Sequence, residues 1–153
     1  MPLKYVEIAN KFKPKAVNTL LIGEAPPAND RTYFYIPKDP VREASISSAI
    51  FQHYFGKIPV SIKEYEFMLK QLQKHKIFFI DICDIPLRIS NRVYKDSIDP
   101  AQLEILRSHI PNLRGKILER EIVIEDENII FLLPSSHYRT QLRKEFPNSQ
   151  FYS

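Results

Sequence analysis

Two short stretches of this chain hold residue types that can do chemistry where a fold can present them. The first is Gly23-Glu24-Ala25-Pro26-Pro27, directly after the apolar run Leu20-Leu21-Ile22. A carboxylate at that point can give or take a proton, or hold a donor in place. The prolines fix their own φ and supply no N–H, so a buried strand stops there and a rigid loop begins. The second stretch is Pro134-Ser135-Ser136-His137-Tyr138-Arg139, after Ile129-Ile130-Phe131-Leu132-Leu133. Its hydroxyls, backbone N–H groups and guanidinium suit an anion such as a phosphate, and its imidazole is a further proton donor. In open α/β sheets, ligands bind just beyond the carboxyl ends of the strands. Two such loops, far apart in sequence, are therefore expected to face each other across one pocket.

The elements that position these loops follow from periodicity. Residues 19–22, 77–80 and 129–133 are short apolar runs bounded by polar residues, the pattern of buried strands. Residues 42–55 repeat Ile46, Ile50 and Tyr54 at helical spacing, and Gly56 is placed to end the helix. Residues 61–74 give the clearest helix. Ser61 and Glu64 form a capping box, Val60 and Tyr65 a hydrophobic staple, and Tyr65, Met68, Leu69 and Leu72 an apolar stripe. A further helix is expected after Asp99, with Pro100 in its first turn and Leu103, Leu106 and Ile110 facing inward. Between residues 112 and 127, Ile122 and Ile124 alternate with polar residues, which predicts a strand hairpinned to the next one. Residues 138–146 read as a short helix, and residues 28–40 as a loop holding Tyr33-Phe34-Tyr35. Strands alternating with helices predict an α/β fold, a three-layer α/β/α sandwich with a mainly parallel central sheet.

Composition narrows the function classes. A chain of 153 residues is expected to form one domain with its own core. Cys83 is the single cysteine, which excludes an intrachain disulfide and a cysteine-rich metal or iron–sulfur site. His53, His75, His109 and His137 show no paired spacing, so no metal is expected. The three glycines, Gly23, Gly56 and Gly115, cannot assemble a dinucleotide fingerprint or a P-loop. Gly23 lies inside the first motif, where an unusual dihedral or a close backbone approach would require it. The formal charge of +4 is compatible with nucleic acid without demanding it. No run is long enough to span a membrane and the start is not a secretory signal, so a soluble, cytoplasmic protein is expected.

The two loops, their order and their separation resemble the uracil-DNA glycosylase superfamily. Its members carry a first motif after the first strand, such as G-Q-D-P-Y, G-E-A-P-G or G-I-N-P-G, and a second near the C-terminus, such as H-P-S-P or N-P-S-G-L-S-R. Gly23-Glu24-Ala25-Pro26-Pro27 is nearest to the G-E-A-P-G form. Leu133-Pro134-Ser135-Ser136-His137-Tyr138-Arg139 shares the proline, serine and arginine of N-P-S-G-L-S-R. Asp81 stands where members often carry an asparagine that reads the base edge. The likeness runs from about residue 18 to residue 145 and implies a single domain with a four-stranded parallel sheet, DNA as partner and no cofactor. The activity it implies is hydrolysis of the N-glycosidic bond of a damaged or deaminated base, flipped out of the DNA.

That chemistry passes through an oxocarbenium-like sugar and an anionic leaving base. A protein must stack the base, pair its edge, stabilise the departing charge and position a water. On this reading Gly23, Ala25 and Pro26 approach the base, and Tyr33, Phe34 or Tyr35 stacks on it. Glu24, Asp81 and His137 are the candidate catalytic groups. Pro134, Ser135, Ser136, His137 and Arg139 are the candidate DNA contacts. The chain also departs from the pattern. Ala25 replaces the water-placing aspartate of G-Q-D-P-Y, Leu133 replaces the histidine of H-P-S-P, and the iron–sulfur cysteines of the G-E-A-P-G branch are absent. Asp81 carries the sharpest consequence. Ionised, it only accepts, and fits a base edge bearing amino or ring N–H donors. Protonated, it both donates and accepts, as the asparagine does for uracil. A second reading keeps the fold but makes the chain a catalytically impaired nucleotide or nucleic-acid binding module. A third is a small-molecule α/β enzyme, for which no serine–histidine–acid spacing or metal-ligand cluster argues.

Overall fold

In a computed structural model of the chain, which describes residues 4–43, 45–87, 90–91, 94–132 and 134–152, the three apolar runs become neighbouring strands of one sheet. The elements in order are α1 (Lys4–Asn10), β1 (Thr19–Gly23), α2 (Ile46–Phe55), α3 (Ile62–Lys74), β2 (Ile77–Asp81), β3 (Ser90–Asn91), β4 (Tyr94–Ile98), α4 (Pro100–His109), α5 (Leu113–Glu119), β5 (Ile129–Leu132), α6 (Ser136–Glu145) and β6 (Gln150–Tyr152). The central sheet runs β2-β1-β5-β6 with every pair parallel, and β3 and β4 form a separate antiparallel pair. This is the three-layer α/β architecture. β1 and β2 are buried at every position after the first, as expected when helices cover both faces of a parallel sheet.

The order of the strands decides where a ligand can sit. From β1 the chain moves to β2 on one side, then returns to place β5 on the other. A crevice opens at such a switch point, beyond the carboxyl ends of β1 and β5. The first motif follows β1 and the second follows β5.

Several helices end where their residues direct. Ser45 and Ser61 cap α2 and α3 by accepting from Ser48 N–H and Glu64 N–H. Gly56 takes φ 72° after α2, and Asp99 accepts from Ala101 N–H ahead of Pro100. Elsewhere packing corrected the sequence reading. Val60 is 76% exposed, so no staple forms with the fully buried Tyr65, and the Glu64 carboxylate bonds Val60 N–H instead of Ser61 N–H. α2 begins at Ile46 and buries Phe51 on its core face, leaving Tyr54 only half-buried. The stretch 112–127 holds α5, not a strand. Leu113 and Ile117 give it a buried face, Glu121 ends it at φ 61°, and Ile122 buries itself from the following loop. α1 and β6 carried no sequence expectation. β6 completes the sheet, with Phe151 edge-on to Phe131 at 5.7 Å.

Candidate active site at the strand ends

The site grows from the pairing of β1 with β2. Gly23 is opposite Asp81, and the ladder continues past the strands: Ile82 N–H donates to Gly23 O at 2.9 Å and Cys83 N–H to Glu24 O at 3.0 Å. Two carboxyls, Glu24 and Asp81, are thereby held at the ends of neighbouring strands. Phe79 and Asp81, two apart on β2, share one face. Gly23 is bare because that face is full. A Cβ there would come within 2.9 Å of Asp81 Oδ1 and 3.0 Å of Phe79 Cζ. Close approach, not a special dihedral, is what requires this glycine.

Beyond these ends lies a cavity of about 650 Å³. That is within the usual range for a small-molecule site. Glu24, Ala25 and Pro26 form one wall, Tyr33, Phe34 and Phe79 supply aromatic surface, and Asp81 lies among them. Ser45, Ile46 and Ser47 at the start of α2 face it, with Leu87 and Leu132. Arg42 is the only cation among its described lining residues. Behind the wall, Tyr65 fixes the aromatic loop. Its hydroxyl donates to Phe34 O at 2.5 Å, contacts Ser47 Oγ at 3.2 Å and accepts from Lys38 Nζ at 2.9 Å. Burial brings the Lys38 amine down to about 8. Tyr5, from α1, ties the outer part of the loop through its hydroxyl, 2.7 Å from both Pro27 O and Asp30 Oδ1.

Asp81 is 5% exposed and pairs with no cation among the described residues. Its neighbour Lys116, on α5, donates to the main-chain carbonyls of Asp81 and Ile82 and forms its ion pair with Asp84 at 2.6 Å. Desolvation is the largest influence on Asp81 and raises its carboxyl to about 8. Lys116 and Arg120 pull downward while Asp84 and Glu24 push upward, so the surrounding charges oppose one another and burial decides. The carboxyl is therefore largely protonated at neutral pH. Burial also raises the Cys83 thiol to about 11, which leaves it an inert core group.

The two motifs meet. Tyr138, on α6, buries its hydroxyl toward Glu24. Burial and the Glu24 carboxylate both raise this phenol well above its ordinary range. The hydroxyl makes no hydrogen bond of good geometry, so Glu24 acts on it mainly as a nearby charge and a loosely aligned acceptor. Of the sequence candidates, Glu24, Ala25, Pro26, Tyr33, Phe34 and Asp81 line the cavity, and Gly23 borders it through Asp81.

Others lie elsewhere. Tyr35 is fully committed to the core, its hydroxyl accepting from Phe79 N–H at 2.8 Å on the outer side of β2. It therefore offers no stacking face to the cavity. Tyr33 lines the cavity but donates its hydroxyl to Tyr5 O at 3.2 Å. Pro134, Ser135, Ser136, His137 and Arg139 do not line it. Ser135 caps α6 by accepting from His137 N–H, and Arg139 donates to Pro134 O with its guanidinium over the Phe151 ring at 5.5 Å. His137 is exposed and borders a separate open groove of about 580 Å³ between α4 and α6, with Arg107, Thr140 and Lys144. Leu133 lies outside the described residues.

Phe79, Ser47 and Tyr138 were not singled out as site residues from the sequence. Period-two alternation with Asp81 was a signal for Phe79, and a place inside the second motif was one for Tyr138. Nothing in the sequence marked Ser47. Among the described residues no group of His, Cys, Asp or Glu could hold a metal ion, and no helix is long and apolar enough to cross a membrane. Comparison with protein-family models, with curated proteins and with solved structures gave no match.

Proposed function

We propose that this chain binds an extruded nucleobase of DNA in the strand-end cavity and hydrolyses its N-glycosidic bond, as a divergent relative of the uracil-DNA glycosylases. The observation that carries this reading is the convergence of Glu24 and Asp81 on one aromatic-walled cavity, with Tyr138 of the second motif set against Glu24. Phe34 and Phe79, with ring centroids 5.4 Å apart, give a base a surface to stack on. A protonated Asp81 offers both a donor and an acceptor to the base edge, as an amide does. Glu24 stands at the rim, where a water and a developing sugar cation would need a carboxylate. The motif departures at Ala25 and at position 133 are the argument for the binding-module alternative.

A panel of duplexes and single strands carrying uracil, hypoxanthine, xanthine or mismatches separates these readings. Alkali-labile abasic sites on at least one substrate are the expected result. Binding that weakens with salt but leaves every substrate intact assigns the module instead. Absence of both binding and cleavage at low salt removes the nucleic-acid reading altogether.

A further inference from the structure

The reading above leaves open how a chain without the usual aspartate and histidine would drive departure of a base. We propose that Asp81 is the acid and Glu24 the base of an unequal carboxyl pair, Asp81 protonating the departing base and Glu24 taking a proton from the attacking water. This rests on the functional reading and assigns its chemistry.

The inequality is built from the fold. Asp81 is the last residue of a buried strand, packed over a glycine that admits no side chain. Glu24 is one residue past the end of β1 and half-exposed at the rim. A carboxyl withdrawn from water favours its neutral form, whereas one that keeps solvent favours its charged form, and a nearby charge on one resists charge on the other. The cations do not cancel the effect. Lys116 is committed to Asp84 and two carbonyls, and Arg120 is placed over the Phe78 ring at 5.4 Å. The remaining groups that face Asp81 are Asp84 and Cys83 from the loop after β2, Glu24 from the loop after β1, the phenols of Tyr33 and Tyr35, and that of Tyr5 from α1. The phenols are all raised by burial, so they stay neutral, and the carboxylates oppose ionisation of Asp81.

The step balances as follows. The bond from C1′ to the base nitrogen breaks, and its electron pair leaves with the base. The Asp81 O–H proton passes to an oxygen or ring nitrogen of that base. A water oxygen bonds to C1′, and the proton it sheds goes to the Glu24 carboxylate. The products are the neutral base and a sugar with a 1′-hydroxyl. Asp81 is left ionised and Glu24 protonated, and exchange with solvent restores both. No oxidant, metal or cofactor enters.

Two measurements test the pair. Carbon-13 NMR of the labelled protein, with the Asp81 signal assigned by its loss in Asp81→Asn, should show a carboxyl titrating near pH 8. Titration in the ordinary carboxylate range overturns the proposal, whatever the variants do. Single-turnover release of base from uracil- and hypoxanthine-containing duplexes is then followed from acid to alkaline pH. The wild-type rate should fall above about pH 8. Asp81→Asn should be slower by about 10²–10⁴-fold and should lose that alkaline fall, because an amide hydrogen-bonds without giving up a proton. Glu24→Gln should be slower by about 10²-fold or more and keep the alkaline fall. Release by Asp81→Asn at the wild-type rate, or with the alkaline fall intact, overturns the acid while leaving base release standing. No release from any duplex by the wild type overturns both readings.

Discussion

Two hollows of similar size, about 650 Å³ and about 580 Å³, differ in the residues that line them. The strand-end cavity has phenylalanine, tyrosine and proline in its wall beside polar residues, and holds the buried Asp81, which forms no ion pair among the described residues. The groove between α4 and α6 is lined by Glu104, Arg107, His137 and Lys144, side chains that water reaches. The contrast teaches that volume says little about chemistry. What surrounds a carboxyl sets its hold on the proton: Asp81 at the first hollow is buried, whereas Glu104 at the second is exposed. The groove is held in shape by polar contacts, as Arg107 Nε donates to His137 O at 3.2 Å and Gln141 Nε2 to Arg107 O at 3.0 Å. Those contacts join surface helices and leave the charges solvated.

The sharpest way to break the contrast is through pH. The folded carboxyl of Asp81 stands near 8, above its ordinary value of 3.8. Between those values the native state holds a proton that the unfolded chain has lost, so stability falls as pH rises across that window. The stabilising contribution of the neutral form is full below about pH 4 and gone once pH passes about 8. Asp81→Asn removes the effect. The unfolding free energy of that variant relative to wild type should improve by roughly 1.4 kcal/mol for each pH unit across the window. Urea titrations of both proteins at a series of pH values measure it. A difference that stays flat with pH would show that Asp81 ionises freely and that the cavity is as wet as the groove.

Gly23→Ala comes next in size. Its Cβ would meet Asp81 Oδ1 and the Phe79 ring inside ordinary contact distance, and neither is the free end of a long flexible chain. Overpacking of this kind costs about 1–3 kcal/mol. Because Asp81 is one of the two neighbours displaced, the variant should also shift the Asp81 titration observed by NMR. A fully stable Gly23→Ala with an unmoved titration would mean that the strand ends tolerate an added methyl and are less tightly built than the contacts indicate.

Much of this arrangement was legible in the sequence. The three apolar runs declared themselves as strands because parallel strands are buried on both faces and need no alternation to be seen. Gly23-Glu24-Ala25-Pro26-Pro27 announced a strand end because glycine, carboxylate and proline cannot all continue a ladder. β6 stayed hidden because Gln150-Phe151-Tyr152 is too short, and too polar on its exposed side, to signal a strand without its partner β5. Ile122 and Ile124 imitated a strand because one of them is buried by a loop and the other half-buried, which gives alternation without a ladder. The aromatic run was the least readable part of the site. Three adjacent rings have three directions, and only the packed structure shows that Phe34 and Tyr33 face the cavity while Tyr35 satisfies the backbone of β2. The protonation of Asp81 was also beyond the sequence alone. It follows from burial of Asp81 at the end of β2, while Lys116, thirty-five residues away, forms its ion pair with Asp84.

The smallest expected effect belongs to the groove and completes the comparison. Lys144 is exposed on α6 and forms no ion pair among the described residues. Lys144→Ala should change the unfolding free energy by no more than about 0.5 kcal/mol, as surface substitutions away from special features do. It should leave the alkaline fall of base release where it is, because Lys144 lines the groove and not the strand-end cavity. If the groove guides a DNA strand toward the cavity, the variant should instead flatten the dependence of log affinity on log salt by about one unit of slope. Fluorescence anisotropy with a labelled duplex at several salt concentrations reads that slope directly. An unchanged slope would confine DNA contact to the cavity side of α6. A large loss of stability, or a moved pH profile, would show that the two hollows are coupled through α6, whose Tyr138 faces Glu24 while its His137 faces the groove.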